Sequence, residues 1–230
     1  MIDHPLILLA ALPAAAYVLG ATPFAALLAK AHGVDLRKVG SGNVGATNVA
    51  RALGRKWGYL CFLLDTGKGL TAVLVAGWAL RRLEGFPTLL QQASWLGVGC
   101  GAILGHVFSF YLRFRGGKGV ATALGVVLGM YPYFTFAGLC ALGVWIVVTL
   151  ASRYVSLGSV TAAVAFLPLF AAFNWPVSEV WPMGVFAVLM VALILLRHRQ
   201  NIRRLLAGTE NRIGSGRRAA PRAPDEAQEG

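Results

Sequence analysis

The sequence predicts an all-α integral membrane protein with seven transmembrane helices, and three observations lead to this prediction. Hydrophobic residues make up 57% of the 230 residues and charged residues only 13%, about half the charged share of an average soluble domain. The chain therefore lacks the polar surface that a soluble protein of this size needs. Glycine is abundant, at 28 residues, and small residues let membrane helices approach one another closely. Long apolar segments recur along almost the whole chain.

A spanning helix needs about 20 consecutive, mainly apolar residues. The apolar segments lie at 5–29, 56–80, 88–111, 119–131, 133–151, 157–173 and 179–196. The first has no basic N-terminal flank and is too long for the apolar part of a secretory signal, so it is predicted to be a retained span. The fourth is short, covering only about 20 Å of a ~30 Å hydrocarbon core, and it ends near Pro132. Residues 119–151 form either two spans or one span with a re-entrant piece.

The distribution of Lys and Arg favours two spans there. With seven spans, eighteen of the 21 basic residues fall on one side, Arg81 and Arg82 fall on the other, and Lys68 lies within a span. Because basic loops stay in the cytoplasm, the N-terminus is predicted to lie outside and the C-terminus in the cytoplasm. Residues 1–214 then form a single membrane domain. Residues 215–230, rich in Ala, Pro, Arg and Glu, are predicted to be a disordered tail.

Four polar clusters interrupt the apolar pattern, and this topology places all of them on the cytoplasmic face. They lie at residues 40–51, 105–122, 152–159 and 198–214. Four loops that are distant in sequence but share one face are what an active site at the membrane interface requires.

The first cluster contains glycines with the spacing of a dinucleotide-binding motif, Gly40, Gly42 and Gly45. That motif requires a preceding strand in a βαβ unit, whereas a transmembrane segment precedes this one, so we reject that interpretation. A run of Gly, Ser, Asn and Thr can still turn successive backbone N–H groups into one concavity that binds an anion. Arg51 follows closely, and arginine is suited to bidentate contact with phosphate.

The second cluster combines glycine with a basic residue in the same way. Gly116, Gly117 and Lys118 precede the fourth apolar segment, so free amides at a helix N-terminus and an ammonium group are expected to face one place. The alternative for either cluster is that the basic residue only sets the topology beside flexible glycines. Two such loops on one face favour phosphate binding. Neither Gly67-Lys68 nor Gly117-Lys118 completes a P-loop, because glycine follows each lysine.

The fourth cluster contains His198 and Asn201, which share a face of a helix because they are three residues apart. A neutral imidazole there accepts a proton or hydrogen-bonds a hydroxyl; the alternative is a histidine that only caps the helix end. His106 begins the second cluster, which suggests a role in orienting its loop. Asp65 and Lys68, three apart inside the second span, favour an ion pair that steadies the bundle over a catalytic role.

Three runs in these clusters resemble the signature motifs of the bacterial acyl-phosphate:glycerol-3-phosphate acyltransferases, the PlsY family. The runs are Ser-Gly-Asn-Val-Gly-Ala-Thr-Asn-Val-Ala-Arg, Gly-Gly-Lys-Gly-Val-Ala-Thr and His-x-x-Asn-Ile-x-Arg-Leu-Leu-x-Gly-x-Glu. The resemblance covers the chain except for its tail. One small departure is Asn211-Arg212, where the family often has Lys as the basic residue, and Arg keeps the charge.

The resemblance implies transfer of a fatty acyl group from acyl phosphate to the 1-hydroxyl of glycerol 3-phosphate, which gives lysophosphatidate and inorganic phosphate in phospholipid biosynthesis. It also implies a bacterial inner-membrane protein whose active site faces the cytoplasm. The catalytic residues that it implies are His198, Asn201 and Ser41. For glycerol 3-phosphate it implies Arg51, Lys118 and Ser156. For acyl phosphate it implies Ser41, Gly42, Asn43, Gly45, Ala46, Thr47, Asn48, Gly116 and Gly117.

The family needs neither acyl carrier protein nor coenzyme A, and no histidine in this sequence is followed by Asp in the H-x-x-x-x-D motif of acyltransferases that use those donors. The resemblance implies no cofactor, no metal and no nucleic acid, and membrane lipid as the surroundings. A phosphate or organophosphate transporter is the main rival interpretation. Transporters, however, usually hold their substrate near the midplane, whereas these motifs lie at one interface.

Overall fold

The computed structural model describes residues 7–81 and 88–214, and within these ranges the regular structure is entirely helical. The α-helices are α1 (Leu12–Ala21), α2 (Phe24–Ala31), α3 (Ala46–Leu53), α4 (Arg55–Arg81), α5 (Leu89–Val107), α6 (Val120–Gly129), α7 (Thr135–Ser152), α8 (Val155–Phe173) and α9 (Trp181–Leu206). A π-helical turn, Ile7–Ala11, leads into α1, and short 3₁₀ helices lie at Leu36–Lys38, Phe110–Leu112 and Val177–Val180. The predicted tail and Arg82 lie outside the described residues.

Six segments are long and apolar enough to cross a membrane. They are Leu9–Ala31, Arg55–Arg81, Leu89–Leu112, Thr135–Ser152, Val155–Phe173 and Trp181–Leu206. The predicted fourth segment is the ten-residue helix α6, which at 1.5 Å per residue is about 15 Å long. The all-α membrane fold is therefore confirmed, with six candidate spans and one shorter apolar helix among the described residues.

The predicted first span is present but is not one continuous helix. Helix α1 ends at Ala21 and α2 begins at Phe24, with Thr22 and Pro23 between them. Pro23 has no N–H to donate and its ring disfavours a continuous helix. The carbonyl groups that the break releases are satisfied from other helices, as they must be within a membrane. Lys68 Nζ donates to the carbonyl of Thr22 at 3.0 Å.

Glycines allow two pairs of helices to pack with their backbones almost in contact. Helix α1 lies against α5, and a methyl group added at Gly20 would overlap the carbonyl oxygen of Ala102. Helix α4 lies against α6, where a methyl group at Gly125 would overlap the carbonyl oxygen of Thr66. Because lipid offers no hydrophobic drive for helix association, this close van der Waals contact holds such helices together.

The aromatic core lies around Phe134, just before α7. Its ring is fully buried, with ring centroids 5.2 Å from Phe170, 5.8 Å from Phe166 and 5.7 Å from Phe186. These contacts pack α8 and α9 against the start of α7.

The predicted ion pair between Asp65 and Lys68 is confirmed, at 2.8 Å between Oδ1 and Nζ. Both side chains are almost fully buried. His106 from α5 joins the pair, with its Nδ1 3.4 Å from the same carboxylate oxygen. The polar trio of Asp65, Lys68 and His106 thus links α4, α5 and the break after α1.

The four polar clusters converge at one end of the bundle. Residues from all of them line a single cavity, and the backbone of the fourth cluster reaches the third, where Ile213 N donates to the carbonyl of Arg153 at 2.8 Å. At the other end, Arg81 Nη2 donates to the carbonyl of Tyr131 at 2.8 Å. The chain therefore passes from Lys118 at the cavity to Tyr131 at the far end of α4.

Candidate active site

The loop before α3 is folded around the side chain of Asn48. The Asn48 amide nitrogen donates to the carbonyls of Leu36 and Val39, each at 3.0 Å, and its Oδ1 accepts from Ser41 N at 3.1 Å. Asn48 is 1% exposed. Its backbone amide was predicted to help hold acyl phosphate, but that amide donates to the carbonyl of Gly45 at 2.9 Å, and the hydrogen-bonding groups of the side chain are engaged by the loop itself. Asn48 therefore shapes the anion site rather than lending its side chain to a ligand.

Fewer backbone amides of the loop before α3 are free to bind an anion than the sequence predicted. Gly42 N donates to the carbonyl of Val39 at 3.0 Å, and Asn43 N lies 3.5 Å from Ser41 Oγ. Gly42 has a φ of +68°, a left-handed conformation that glycine adopts without strain. Helix α3 begins at Ala46, and the first amides of a helix have no partner within it. Ala46 and Thr47, whose amides have no partner within the helix, line the same cavity as Ser41.

The amides of Gly116 and Gly117 were expected to be free, but both have partners within the protein. Gly116 N donates to the carbonyl of Val107 at 3.0 Å, and Gly117 N donates to that of His106 at 3.2 Å. Their carbonyls face the other way and lie 3.4 and 3.2 Å from Arg197 Nη2. The loop is thus held from both sides, and its role is to present the next residue, Lys118.

Lys118 points into a hydrogen-bonded chain that joins the other clusters. Its Nζ donates to Asn201 Oδ1 at 2.5 Å, and Asn201 Nδ2 donates to Glu210 Oε1 at 2.6 Å. Ser156 Oγ donates to the same Glu210 oxygen at 2.9 Å, and Arg204 Nε donates to Oε2 at 2.7 Å. Lys118, Ser156 and Asn201 are therefore brought together as predicted, around a carboxylate.

Glu210 is the functional residue that sequence reasoning missed. The available signal was that it is the sole acidic residue within 198–214 and the last residue of the third motif. Burial alone would raise the pKa of the Glu210 carboxyl, but hydrogen bonds from Arg204, Asn201 and Ser156 outweigh burial and keep the pKa below its usual range. Glu210 is ionised at neutral pH as a result, and it orders the polar side chains around it.

The site remains rich in positive charge despite Glu210. Burial lowers the pKa of the Lys118 ammonium to about 8, although the Glu210 carboxylate opposes this change. The nearby guanidinium groups of Arg204, Arg51 and Arg197 lower it further. A cluster of cations that destabilise one another's charges is stabilised when an anion binds among them.

His198 is 2% exposed and lines the cavity. Its Nδ1 lies 2.8 Å from the carbonyl of Ile194. Because a carbonyl only accepts, we assign the proton of a neutral ring to Nδ1. Nε2 is then an acceptor, which fits a group that takes a proton from, or hydrogen-bonds, a substrate hydroxyl.

The cavity formed by these groups has a volume of about 120 Å³. It is lined by Ser41, Asn43, Gly45, Ala46, Thr47, Asn48, Arg51, Lys118, Ser156, His198 and Asn201, eleven of the fourteen predicted site residues. Gly42, Gly116 and Gly117 do not line it. The lining also includes the apolar side chains of Phe62 from α4 and Trp145 from α7. Among the described residues, no group of three His, Cys, Asp or Glu side chains is arranged to hold a metal.

Comparison with known proteins identifies the family. The family model for glycerol-3-phosphate acyltransferase matches residues 10–208 of this chain. The chain belongs to this family. A glycerol-3-phosphate acyltransferase of Geobacter sulfurreducens is 50% identical over 203 residues, covering 88% of this chain and 96% of the relative. One from Aquifex aeolicus is 46% identical over 201 residues, covering 86% and 95%.

The fold is also similar to that of a solved member of this family. A crystal structure of PlsY, described as an integral membrane glycerol 3-phosphate acyltransferase in its glycerol 3-phosphate form, superposes with a TM-score of 0.76 at 43% identity. The match covers 88% of this chain and 94% of the PlsY chain. The resemblance inferred from the three motifs is confirmed.

Proposed function

We propose that this glycerol-3-phosphate acyltransferase moves a fatty acyl group from acyl phosphate to the 1-hydroxyl of glycerol 3-phosphate in phospholipid biosynthesis. The observation that carries the proposal is one cavity lined both by residues of two cationic, glycine-rich loops and by apolar side chains. Two phosphate groups need the former, and a fatty acyl chain needs the latter. A transporter would hold its substrate near the midplane, whereas this cavity lies at one end of the bundle, so the acyltransferase interpretation is favoured.

Glycerol 3-phosphate is assigned to the side of the cavity that contains Arg51, Lys118 and Ser156. The Lys118 ammonium and the Arg51 guanidinium offset the phosphate charge, and Asn201 and His198 meet the glycerol hydroxyls. The acyl phosphate head group is assigned to Ser41 and the amides at the start of α3. Its chain would leave between Phe62 and Trp145 into the bilayer.

The reaction needs little covalent chemistry from the protein, because acyl phosphate is already an activated mixed anhydride. The 1-hydroxyl oxygen attacks the acyl carbonyl carbon, the bond from that carbon to the phosphate oxygen breaks, and inorganic phosphate leaves. The hydroxyl proton passes either to His198 Nε2 or to the departing phosphate. The protein contributes proximity and electrostatic stabilisation of two anions held close together.

The proposal includes a membrane topology. The chain crosses a bacterial inner membrane seven times, with its N-terminus outside and the cavity facing the cytoplasm. Helix α6 alone is too short to span, but the chain that contains it runs from Lys118 at the cavity to Tyr131, which hydrogen-bonds Arg81 at the other end of the bundle. Helix α7 then returns towards the cavity at Arg153. The asymmetric distribution of Lys and Arg supports this orientation.

Direct comparison of donors tests the proposal. Purified protein is given labelled glycerol 3-phosphate with palmitoyl phosphate, palmitoyl coenzyme A or palmitoyl carrier protein, and lysophosphatidate is measured. We expect product with palmitoyl phosphate alone. Product with either thioester at a comparable rate would overturn the choice of donor, while product with none of the three would overturn the proposed activity.

A further inference from the structure

The buried polar trio of Asp65, Lys68 and His106 has no role in the reaction proposed above. The three residues are 2%, 4% and 9% exposed, respectively, and ionisable groups inside a membrane are costly enough to suggest a function. Lys68 has a structural task, because it satisfies the carbonyl of Thr22 at the break after α1. Asp65 and His106, in contrast, line the active-site cavity as well as a small chamber behind it.

His106 contacts the backbone of Gly116 and Gly117, the two residues that precede Lys118. Its carbonyl accepts from Gly117 N at 3.2 Å. A methyl group added at Gly117 would overlap His106 Nε2, and one added at Gly116 would overlap the His106 carbonyl oxygen. The loop therefore rests directly on the His106 ring and backbone. Asp65 fixes the ring from the other side, with its carboxylate 3.4 Å from Nδ1.

We propose that Asp65 and His106 are positioning residues that hold the Gly116–Gly117 backbone and so fix the Lys118 ammonium for the phosphate of glycerol 3-phosphate. The proposal rests on the function proposed for Lys118. A glycine loop is intrinsically flexible, and a long lysine side chain on a mobile loop loses rotamer freedom when it binds. Seating the loop on a ring that is itself held by a buried carboxylate removes that freedom in advance, which is how supporting residues preorganise a binding group.

The test separates positioning from simple structural support by comparing the two substrates. In His106→Ala we expect the KM for glycerol 3-phosphate to rise at least tenfold, while the KM for acyl phosphate stays within twofold. His106→Gln, whose amide can still reach Asp65 and fill part of the ring space, is expected to recover most of the loss. His32→Ala is the matched control, because His32 is exposed and packs on Trp57 away from the cavity.

A second readout is the pH at which Lys118 loses its proton, followed through the pH dependence of kcat/KM. The charged or titratable groups that act on Lys118 are Glu210, Arg204, Arg51, Arg197 and His198. Releasing the loop exposes the ammonium to solvent, so in His106→Ala the alkaline fall in kcat/KM is expected at a higher pH than in the wild type. A purely structural role for His106 would leave this pH unchanged in the surviving folded enzyme.

Gly116→Ala keeps the proposal falsifiable if His106→Ala does not fold. The added methyl group would overlap the His106 carbonyl oxygen and lie 2.9 Å from the carbonyl oxygen of Val107. It therefore displaces the loop without removing a membrane-buried ring, and its nearest neighbours do not include the loop before α3. Glycerol 3-phosphate KM is again expected to rise selectively. Wild-type KM values and pH profile in this variant, or an equal rise in both KM values in His106→Ala, would overturn the proposal. Inactivity of the wild type itself would instead count against the proposed function.

Discussion

The protonation of Lys118 gives the most specific prediction about the site. Its pKa of about 8 is low for a lysine because the side chain is buried among cations. The phosphate of glycerol 3-phosphate has its second pKa near ~6 and is a dianion above neutral pH. Only the protonated ammonium attracts that dianion. Raising the pH through 8 should therefore weaken the capture of glycerol 3-phosphate.

The size of the effect follows from the pKa. A group with a pKa of about 8 is roughly ten-elevenths protonated at pH 7 and one-eleventh protonated at pH 9. The kcat/KM for glycerol 3-phosphate should thus fall about tenfold between these pH values, because this ratio reports groups of the free enzyme. Lys118→Arg should lower activity but remove the pH dependence, since a guanidinium stays charged throughout this range.

Glu210→Gln tests the same reasoning from the partner's side. The Glu210 carboxylate raises the pKa of Lys118 against the effect of burial. Without that negative charge the pKa falls below about 8, so the protonated, binding form is lost at a lower pH and the alkaline limb moves down. For both variants, lysophosphatidate formation is measured at saturating acyl phosphate from about pH 6.5 to about pH 9.5, in steps of about half a pH unit.

An alkaline fall in kcat/KM that persists unchanged in Lys118→Arg would refute the assignment to Lys118.

Three further predictions concern other parts of the chain. Arg51→Ala should raise the KM for glycerol 3-phosphate about ten- to hundredfold, the cost of one lost charge-assisted hydrogen bond. Arg55→Ala should not, because Arg51 lines the cavity and Arg55 does not; unchanged affinity in Arg51→Ala would contradict its role. His198→Ala should lower kcat about a hundredfold or more if Nε2 takes the proton, and a change in KM alone would assign the proton to the leaving phosphate. Gly125→Val should lower the melting temperature in detergent, because overpacking costs about 1–3 kcal/mol. Gly143→Val, with open space around its Cβ position, is its control, and equal melting temperatures would argue against tight α4–α6 packing.

The sequence predicted where the helices lie because apolar length is a direct physical requirement of the bilayer. It also predicted the convergence of the four clusters, since a repeated excess of basic residues identifies loops that share one side. The break at Pro23 was missed. Apolar composition continues through it, and the compensating donor, Lys68, lies 45 residues further along the chain.

Within the site, the sequence predicted which residues are present better than it predicted the role of each residue. Asn48 and the glycines at 116 and 117 have the composition of ligand-binding loops, but a backbone amide or side-chain carboxamide serves the loop and a ligand equally well. Only coordinates show that Asn48 bonds Leu36, Val39 and Ser41. Glu210 was overlooked because a search for phosphate sites looks for cations, whereas a cluster of cations needs a carboxylate to order it.

The most direct test of the account is whether phosphate release from acyl phosphate depends on glycerol 3-phosphate. Purified protein in lipid is given palmitoyl phosphate with and without glycerol 3-phosphate, and inorganic phosphate and lysophosphatidate are measured together. We expect release that needs both substrates, with one phosphate for each lysophosphatidate formed. Release that ignores glycerol 3-phosphate, or none from a folded sample, would contradict the central claim that one cavity brings the two phosphates together for acyl transfer.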